Sequence, residues 1–123
     1  MRDFAAAILE PAGIGFAFDE EGKIADLKLK VDERKNLYLI FKEAINNIAK
    51  YSGATLAGVV LKKTDNLFLM KITDNGIGFD DTKQYNGNGL KNMRGRAAEM
   101  TAEFEISSKP EAGTQISLGI PIT

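Results

Sequence analysis

The chain contains no histidine and no cysteine. Without histidine, Ser-His catalysis, imidazole-ligated metals and a phosphohistidine on these residues are excluded. Without cysteine there is no disulfide framework, no thiol nucleophile and no thiolate metal site. Long apolar runs are missing too: none approaches the roughly 18 residues of a membrane span, and no signal-peptide pattern opens the chain. Neither sign of charge is in excess, with 16 basic and 17 acidic residues and a net charge of −1. That balance provides no basic stripe for nucleic acid and no polybasic patch for a membrane surface. The expected compartment is the cytoplasm, or the cytoplasmic side of a larger protein.

What is present fits one domain over residues 1–123: the length is near the commonest domain size, and 44% apolar residues can fill an ordinary core. Residues 3–10 read as a short helix closed by Pro11 and Gly13. Residues 14–19 and 24–29 read as two short strands around Glu20 to Lys23. Asp32 reads as the N-cap of a long helix to Tyr51, with Leu37, Ile40, Phe41, Ala44, Ile45 and Ile48 on its buried face and Ser52-Gly53 at its end. Residues 55–63 and 67–74 read as an antiparallel hairpin. Residues 75–88, rich in Gly, Asn and Asp, read as a loop. A second long helix over 90–100 and strands over 103–107 and 115–122 close the chain. The pattern is α+β, a mixed sheet with helices on one face.

Three stretches carry chemistry. On the first long helix, at about 100° per residue, Asn47 lies about 40° from Glu43, Lys50 about 20° to its other side and Asn46 about 60° to that side. Glu43, Asn47 and Lys50 form a narrow polar stripe well away from the apolar one. An Asn carbonyl is a hard oxygen ligand suited to Mg²⁺. A Glu one turn earlier can order a metal-bound water or take a proton, and a Lys one turn later can pair with phosphate. A solvated face is the bland reading. Two consecutive Asn count against it, because Asn is a poor helix former.

The second stretch is Asp74-Asn75-Gly76-Ile77-Gly78. Along 67–74, Phe68, Met70 and Ile72 share one face and Asp74 is in phase with them. A carboxylate on the core side of a strand end is costly unless something donates to it. An adenine amino group donates there, whereas guanine presents a carbonyl oxygen. Sites built to hydrogen-bond one substrate group reject analogues lacking it by roughly 10⁴-fold or more. The glycines allow a tight turn and close approach to a flat base. An ordinary Asp-Asn-Gly turn is the alternative.

The third stretch, Gly87-Asn88-Gly89 before Leu90, opens the second long helix. A helix N-terminus offers free N–H groups to phosphate, and Lys91, Arg94 and Arg96 add positive charge. A flexible helix entry is the alternative. No G-x-G-x-x-G follows a strand, so this is not the dinucleotide fingerprint. Met93, Ala97 and Met100 recur at helical spacing and read as core.

In their order, these stretches resemble the ATP-binding catalytic domain of sensor histidine kinases, in the superfamily shared with DNA gyrase, Hsp90 and MutL. The resemblance covers nearly all of the chain. EAINN with Lys50-Tyr51 resembles the family's N box, DNGIGF its G1 box, GNGLKNMRGRA its G2 box in the wording of the nitrate-sensor subclass, and EAGTQISLGIP its closing segment. It implies a Bergerat fold, a two-layer α/β sandwich with a mixed, mostly antiparallel sheet. It implies that Asn47 binds Mg²⁺, with Asn46 beside it, and that Lys50 approaches phosphate. Asp74 would receive the adenine amino group, with Gly76, Ile77 and Gly78 beside the base and Tyr51 lining the pocket. Gly87, Gly89 and Leu90 would form the phosphate-side hinge, and Thr114 would support the adenine end. Residues 80–86 would be a short lid.

The resemblance further implies a protein histidine kinase activity: transfer of the γ-phosphoryl group of Mg-ATP to a histidine on a dimerisation domain, in two-component signalling with a response regulator. Glu43 would have a supporting catalytic role. Those dimerisation helices and their acceptor histidine are not among these residues, so the expectation is a fragment or a domain acting on another chain, making no membrane contact itself, monomeric alone and homodimeric at full length. Gly95 stands where the family often has Glu. No separate F-box segment is evident between Asp80 and Gly87. An anti-sigma-factor-type serine kinase, a non-catalytic ATP-sensing module and a MutL-like ATPase are the rival readings.

Overall fold

The computed structural model describes residues 1–78 and 88–122, with Asn88 and Gly89 described by their backbone. In chain order, α1 (Arg2–Leu9) leads into β1 (Gly15–Glu21), a single 3₁₀ turn (Ile24–Asp26) and α2 (Val31–Asn47). α2 passes into a π turn (Ile48–Ser52), followed by β2 (Leu56–Lys63), β3 (Leu67–Asp74), α3 (Asn88–Glu99), β4 (Glu103–Ser108) and β5 (Thr114–Pro121). The five strands form one sheet in the order β1-β2-β3-β5-β4. β1 pairs parallel with β2, and the other pairings are antiparallel. The mixed, mostly antiparallel sheet is therefore as expected.

Period-2 alternation builds the two layers. Val59 and Leu61 of β2, Phe68, Met70 and Ile72 of β3, and Ile116, Leu118 and Ile120 of β5 are buried together with Leu37, Ile40, Phe41, Ala44 and Ile45 of α2 and Met93 and Ala97 of α3. Of the residues of opposite phase, Lys62, Lys71 and Gln115 are exposed and Val60, Leu69 and Ser117 half-buried. α1 adds the fully buried Ala5 and Leu9. Its Phe4 meets Tyr38 and Phe41 of α2, with ring centroids 6.2 and 6.1 Å apart.

Two local expectations are corrected. Residues 24–29 form no strand. Their apolar residues are not strictly alternate, and Ile24, Leu27 and Leu29 pack half-buried against the core from the 3₁₀ turn and the chain after it. The N-cap of α2 is Lys30 rather than Asp32: Glu33, three residues on, accepts from the Lys30 N–H at 2.9 Å, the reciprocal half of a capping box. The helix ends at Ser52-Gly53 as expected, but through the π turn, which widens the last backbone ring. Ser52 Oγ donates to the Ile48 carbonyl at 2.6 Å and accepts from the Ala54 N–H at 3.0 Å. Single π turns of this kind concentrate at functional sites.

Candidate functional site

A cleft opens between the α2–π-turn segment, α3 and the ends of β3, β4 and β5. Its volume is about 190 Å³. That is below the roughly 300–1,000 Å³ of sites that enclose a whole small molecule, and suits one flat end of a ligand. Its walls are apolar: Ala44 and Ile48, Ile72, Leu90 and Met93, Ile106, and Ile116. Polar groups enter at Asn47, Ser52, Asp74 and Thr114. Tyr51 and Ile77 line the cleft while remaining 61% and 60% exposed, so a flat partner has apolar surface to cover.

Asp74 is the last residue of β3 and stands opposite Thr114 across the β3–β5 pair. Its Oδ1 accepts from the Gly76 N–H at 2.8 Å. Burial pushes the carboxyl above its ordinary value, and that Gly76 hydrogen bond pulls the other way. The sequence pattern placed this carboxylate on the core side of the sheet, and its raised pKa is the physical signature of that position.

The turn after Asp74 is locked to its neighbours. The Ile77 N–H donates to the Ser52 carbonyl at 2.7 Å, and the Glu111 N–H donates to the Ile77 carbonyl. Gly78 has φ +63°, and a Cβ there would stand 2.1 Å from the Lys109 carbonyl oxygen, so no side chain fits. Asn75 is the organiser that sequence reasoning missed. Its Oδ1 accepts from the Thr55 and Leu56 N–H groups, each at 2.9 Å, and its Nδ2 donates to Thr55 Oγ1 at 2.9 Å. This fixes the start of β2 to the end of β3. The Asp-Asn-Gly string was visible in the sequence, but not the use of its middle residue.

The polar stripe of α2 is divided by the fold. Asn47 faces the cleft. Glu43 and Asn46 instead line an adjoining hollow between α2 and α3, with Leu39, Lys42, Asn92, Met93 and Arg96. Lys50 is exposed and lines neither. Met93, read as core, is both: it is 2% exposed and forms a wall shared by the two hollows. Gly89 lies in the first turn of α3 and Leu90 on the cleft wall. Gly87 and the lid segment 80–86 fall outside the described residues. Among the described residues no three His, Cys, Asp or Glu side chains cluster as a metal site. A divalent cation in this cleft would take the Asn47 amide oxygen and draw its other ligands from phosphate and water, which is the habit of Mg²⁺.

Comparison with known proteins places this architecture. The family model described as histidine kinase-, DNA gyrase B- and HSP90-like ATPase matches residues 32–123. Sensor protein VraS of Staphylococcus aureus (strain COL) is 41% identical over 101 residues, which are 81% of this chain and 29% of that protein. The chain thus spans less than a third of that relative's length. The catalytic domain of histidine kinase ThkA shares the fold with a TM-score of 0.78 at 14% identity, over 98% of this chain and 89% of that one. Acinetobacter baumannii histidine kinase AdeS does so with a TM-score of 0.80 at 16% identity, over 99% of this chain and 62% of that one. No helix among the described residues is long and apolar enough to cross a membrane.

Proposed function

Because the chain belongs to the histidine kinase-, DNA gyrase B- and HSP90-like ATPase family, we propose that it binds Mg-ATP in this cleft and donates the γ-phosphoryl group to a histidine of a separate dimerisation domain. The observation that carries the reading is Asp74: a carboxylate held at the end of an apolar, base-sized cleft, with one oxygen fixed by the Gly76 N–H. The adenine amino group supplies the donor that such a carboxylate needs. Tyr51 and Ile77 cover the faces of the base, and Gly76 and Gly78 let the backbone run close to its edge. Thr114 supports the same end.

The phosphate tail then points along α2 toward Asn47 and Lys50, and toward the start of α3 with Gly87 and Gly89. Asn47 would hold Mg²⁺ through its amide oxygen, and the metal when bound would supply charge neutralisation for the phosphates, while Asn46 faces the adjoining hollow. Lys50, exposed on its flexible stem, pairs with a phosphate oxygen. In the transfer the acceptor imidazole nitrogen forms the N–P bond as the bond to the β-phosphate oxygen breaks, and ADP leaves. The protein's part is positioning and electrostatics. Glu43, one turn before Asn47, orients the attacking group from the adjoining hollow. The acceptor lies outside these residues, which hold no histidine. The partners in this reading are the dimerisation domain, as a homodimer, and through it a response regulator, on the cytoplasmic side of the membrane.

Calorimetric titration with ATP, ADP and GTP, with and without Mg²⁺, tests the site. Wild type should bind the adenine nucleotides selectively and more tightly with Mg²⁺, and Asp74→Asn should lose the selectivity. A folded wild type that binds none of them would overturn the reading. Label transferred to serine of a partner protein, rather than to histidine, would redirect it to an anti-sigma-type kinase.

A further inference from the structure

Asn36 of α2 and Ser108 of β4 are the buried polar residues among those described. Asn36, 6% exposed, lies outside the nucleotide cleft and uses both ends of its amide on α3. Its Nδ2 donates to Glu99 Oε2 at 3.2 Å, and its Oδ1 accepts from Arg96 Nη1 at 3.4 Å. Asn36 precedes Glu43 by seven residues, about two helical turns, so the two lie on one side of α2. The hollow between α2 and α3 opens on that side, with Lys42, Glu43, Asn46, Asn92, Met93 and Arg96 among its walls. Met93 is also a wall of the nucleotide cleft.

The fold gives the cations around this hollow different directions. Lys91 of α3 is exposed. The Arg94 guanidinium stands over the Phe104 ring of β4, 5.4 Å from its centroid. Lys42 carries its ammonium over Phe4 and Tyr38, 5.4 and 5.6 Å from their centroids, on the side of α1. Arg96, half-buried, is the one drawn across the hollow toward α2. The chemistry of its tether matters. An amide oxygen orients the guanidinium and leaves its charge uncompensated, as a carboxylate would not. A guanidinium has five N–H groups in a planar fork, so one bond to Asn36 leaves it able to take an anion. Lys42 and Arg96 together outweigh Glu43, and the hollow is net positive.

The nucleotide reading above runs the phosphate tail past Asn47, one turn beyond Glu43, which brings its terminal group to the mouth of this hollow. We propose that Arg96 reads the γ-phosphate: its guanidinium pairs with the terminal phosphoryl oxygens from the hollow side, and Asn36 is the positioning residue that keeps it there. The assignment rests on that reading and adds what the Asp74 end of the cleft cannot supply. ATP and ADP carry the same adenine, so only a group at the far end of the tail tells them apart. Once the γ-phosphoryl group has gone to the acceptor, ADP has no partner for Arg96 and is held less tightly than the substrate was.

Titration calorimetry of ATP and of ADP, each with Mg²⁺, on the full chain tests this. Arg96→Gln should lower the ratio of ATP to ADP affinity about tenfold, the worth of one charge-assisted hydrogen bond, with ADP affinity nearly unchanged. Asn36→Leu keeps the buried volume and loses the tether. It should lower the ratio about threefold, and should lower it no further when added to Arg96→Gln. Arg94→Gln removes the same charge from the other side of α3 and should change the ratio by less than about twofold. Equal falls in Arg94→Gln and Arg96→Gln would make the effect one of net charge and overturn the assignment. Equal weakening of ATP and ADP, the mark of a merely structural contact, would overturn it too. Should Asn36→Leu not fold, Arg96→Gln, at a half-buried position, carries the test alone. Wild type that binds neither nucleotide would sink the nucleotide reading itself. Wild type that binds both, with a ratio that Arg96→Gln leaves unchanged, would sink the Arg96 assignment alone.

Discussion

At neutral pH the Asp74 carboxylate costs the unliganded fold stability. Its carboxyl titrates above the ordinary 3.8 because burial outweighs the Gly76 hydrogen bond. For a group raised on folding, the protonated form's stability is complete below the unfolded value and is lost as pH rises through the folded one. Asp74→Asn keeps an acceptor for Gly76 without the charge, so the unliganded variant should be more stable than wild type at pH 7. The gap should close as pH falls below 3.8. Urea unfolding across that range checks this, and a variant less stable at pH 7 would show that the charged form is favoured. The same substitution removes the proposed adenine selectivity, so stability and recognition move in opposite directions at one residue. Asp74 was legible from strand phase alone, since a period of two fixes which side it faces. Asn75 and Ser108 were not, because their partners come from across the sheet: Asn75 binds Thr55 and Leu56 beyond the end of the β2–β3 pairing, and Ser108 stands opposite Thr114 in the β4–β5 pair. No local pattern encodes either match.

Elements with a complete periodic signal were legible, and those relying on tertiary contact were not. α2 and the β2–β3 hairpin follow from their apolar spacing, and β3 occupies Leu67–Asp74 as expected. Residues 24–29 carry apolar side chains at Ile24, Leu27 and Leu29, a spacing that satisfies neither period. The core took these side chains without strand pairing. The division of the polar stripe also needed three dimensions: only the placement of α3 against α2 separates Glu43 and Asn46 from Asn47. Within α3, Gly95 proves to be a matter of helix propensity. It is exposed, and a Cβ there would meet nothing within 4 Å. Gly in a helix interior is worse than Ala by about 0.5–1 kcal/mol. Gly95→Ala should therefore raise the urea midpoint by that amount of stability and leave nucleotide affinity unchanged. A loss of stability would mean that the backbone at 95 needs a freedom that Ala lacks.

Every site residue assigned lies between Glu43 and Thr114, and the family match begins at residue 32, yet the molecule does not end its core there. α1, β1 and the link between them supply Leu9, Phe18 and Ile14, at 0%, 9% and 5% exposure, and β1 caps the edge of β2 through seven residue pairs. Burying each of those three side chains is worth about 1.5–3 kcal/mol, or ~5–9 kcal/mol together. Whole domains hold only about 5–15 kcal/mol of net stability. Removing residues 1–31 would also strip the β2 edge of its pairing and uncover Phe41, which packs against Phe4 of α1. Residues 32–123 expressed alone should therefore show no cooperative urea transition and no ATP binding, although they retain the whole proposed site. Leu9→Ala in the full chain should keep a cooperative transition while losing about 2–5 kcal/mol, the range for a fully buried leucine. A cooperative, ATP-binding 32–123 fragment would instead make α1 and β1 an accessory layer, and would move the boundary of the folding unit to the start of α2.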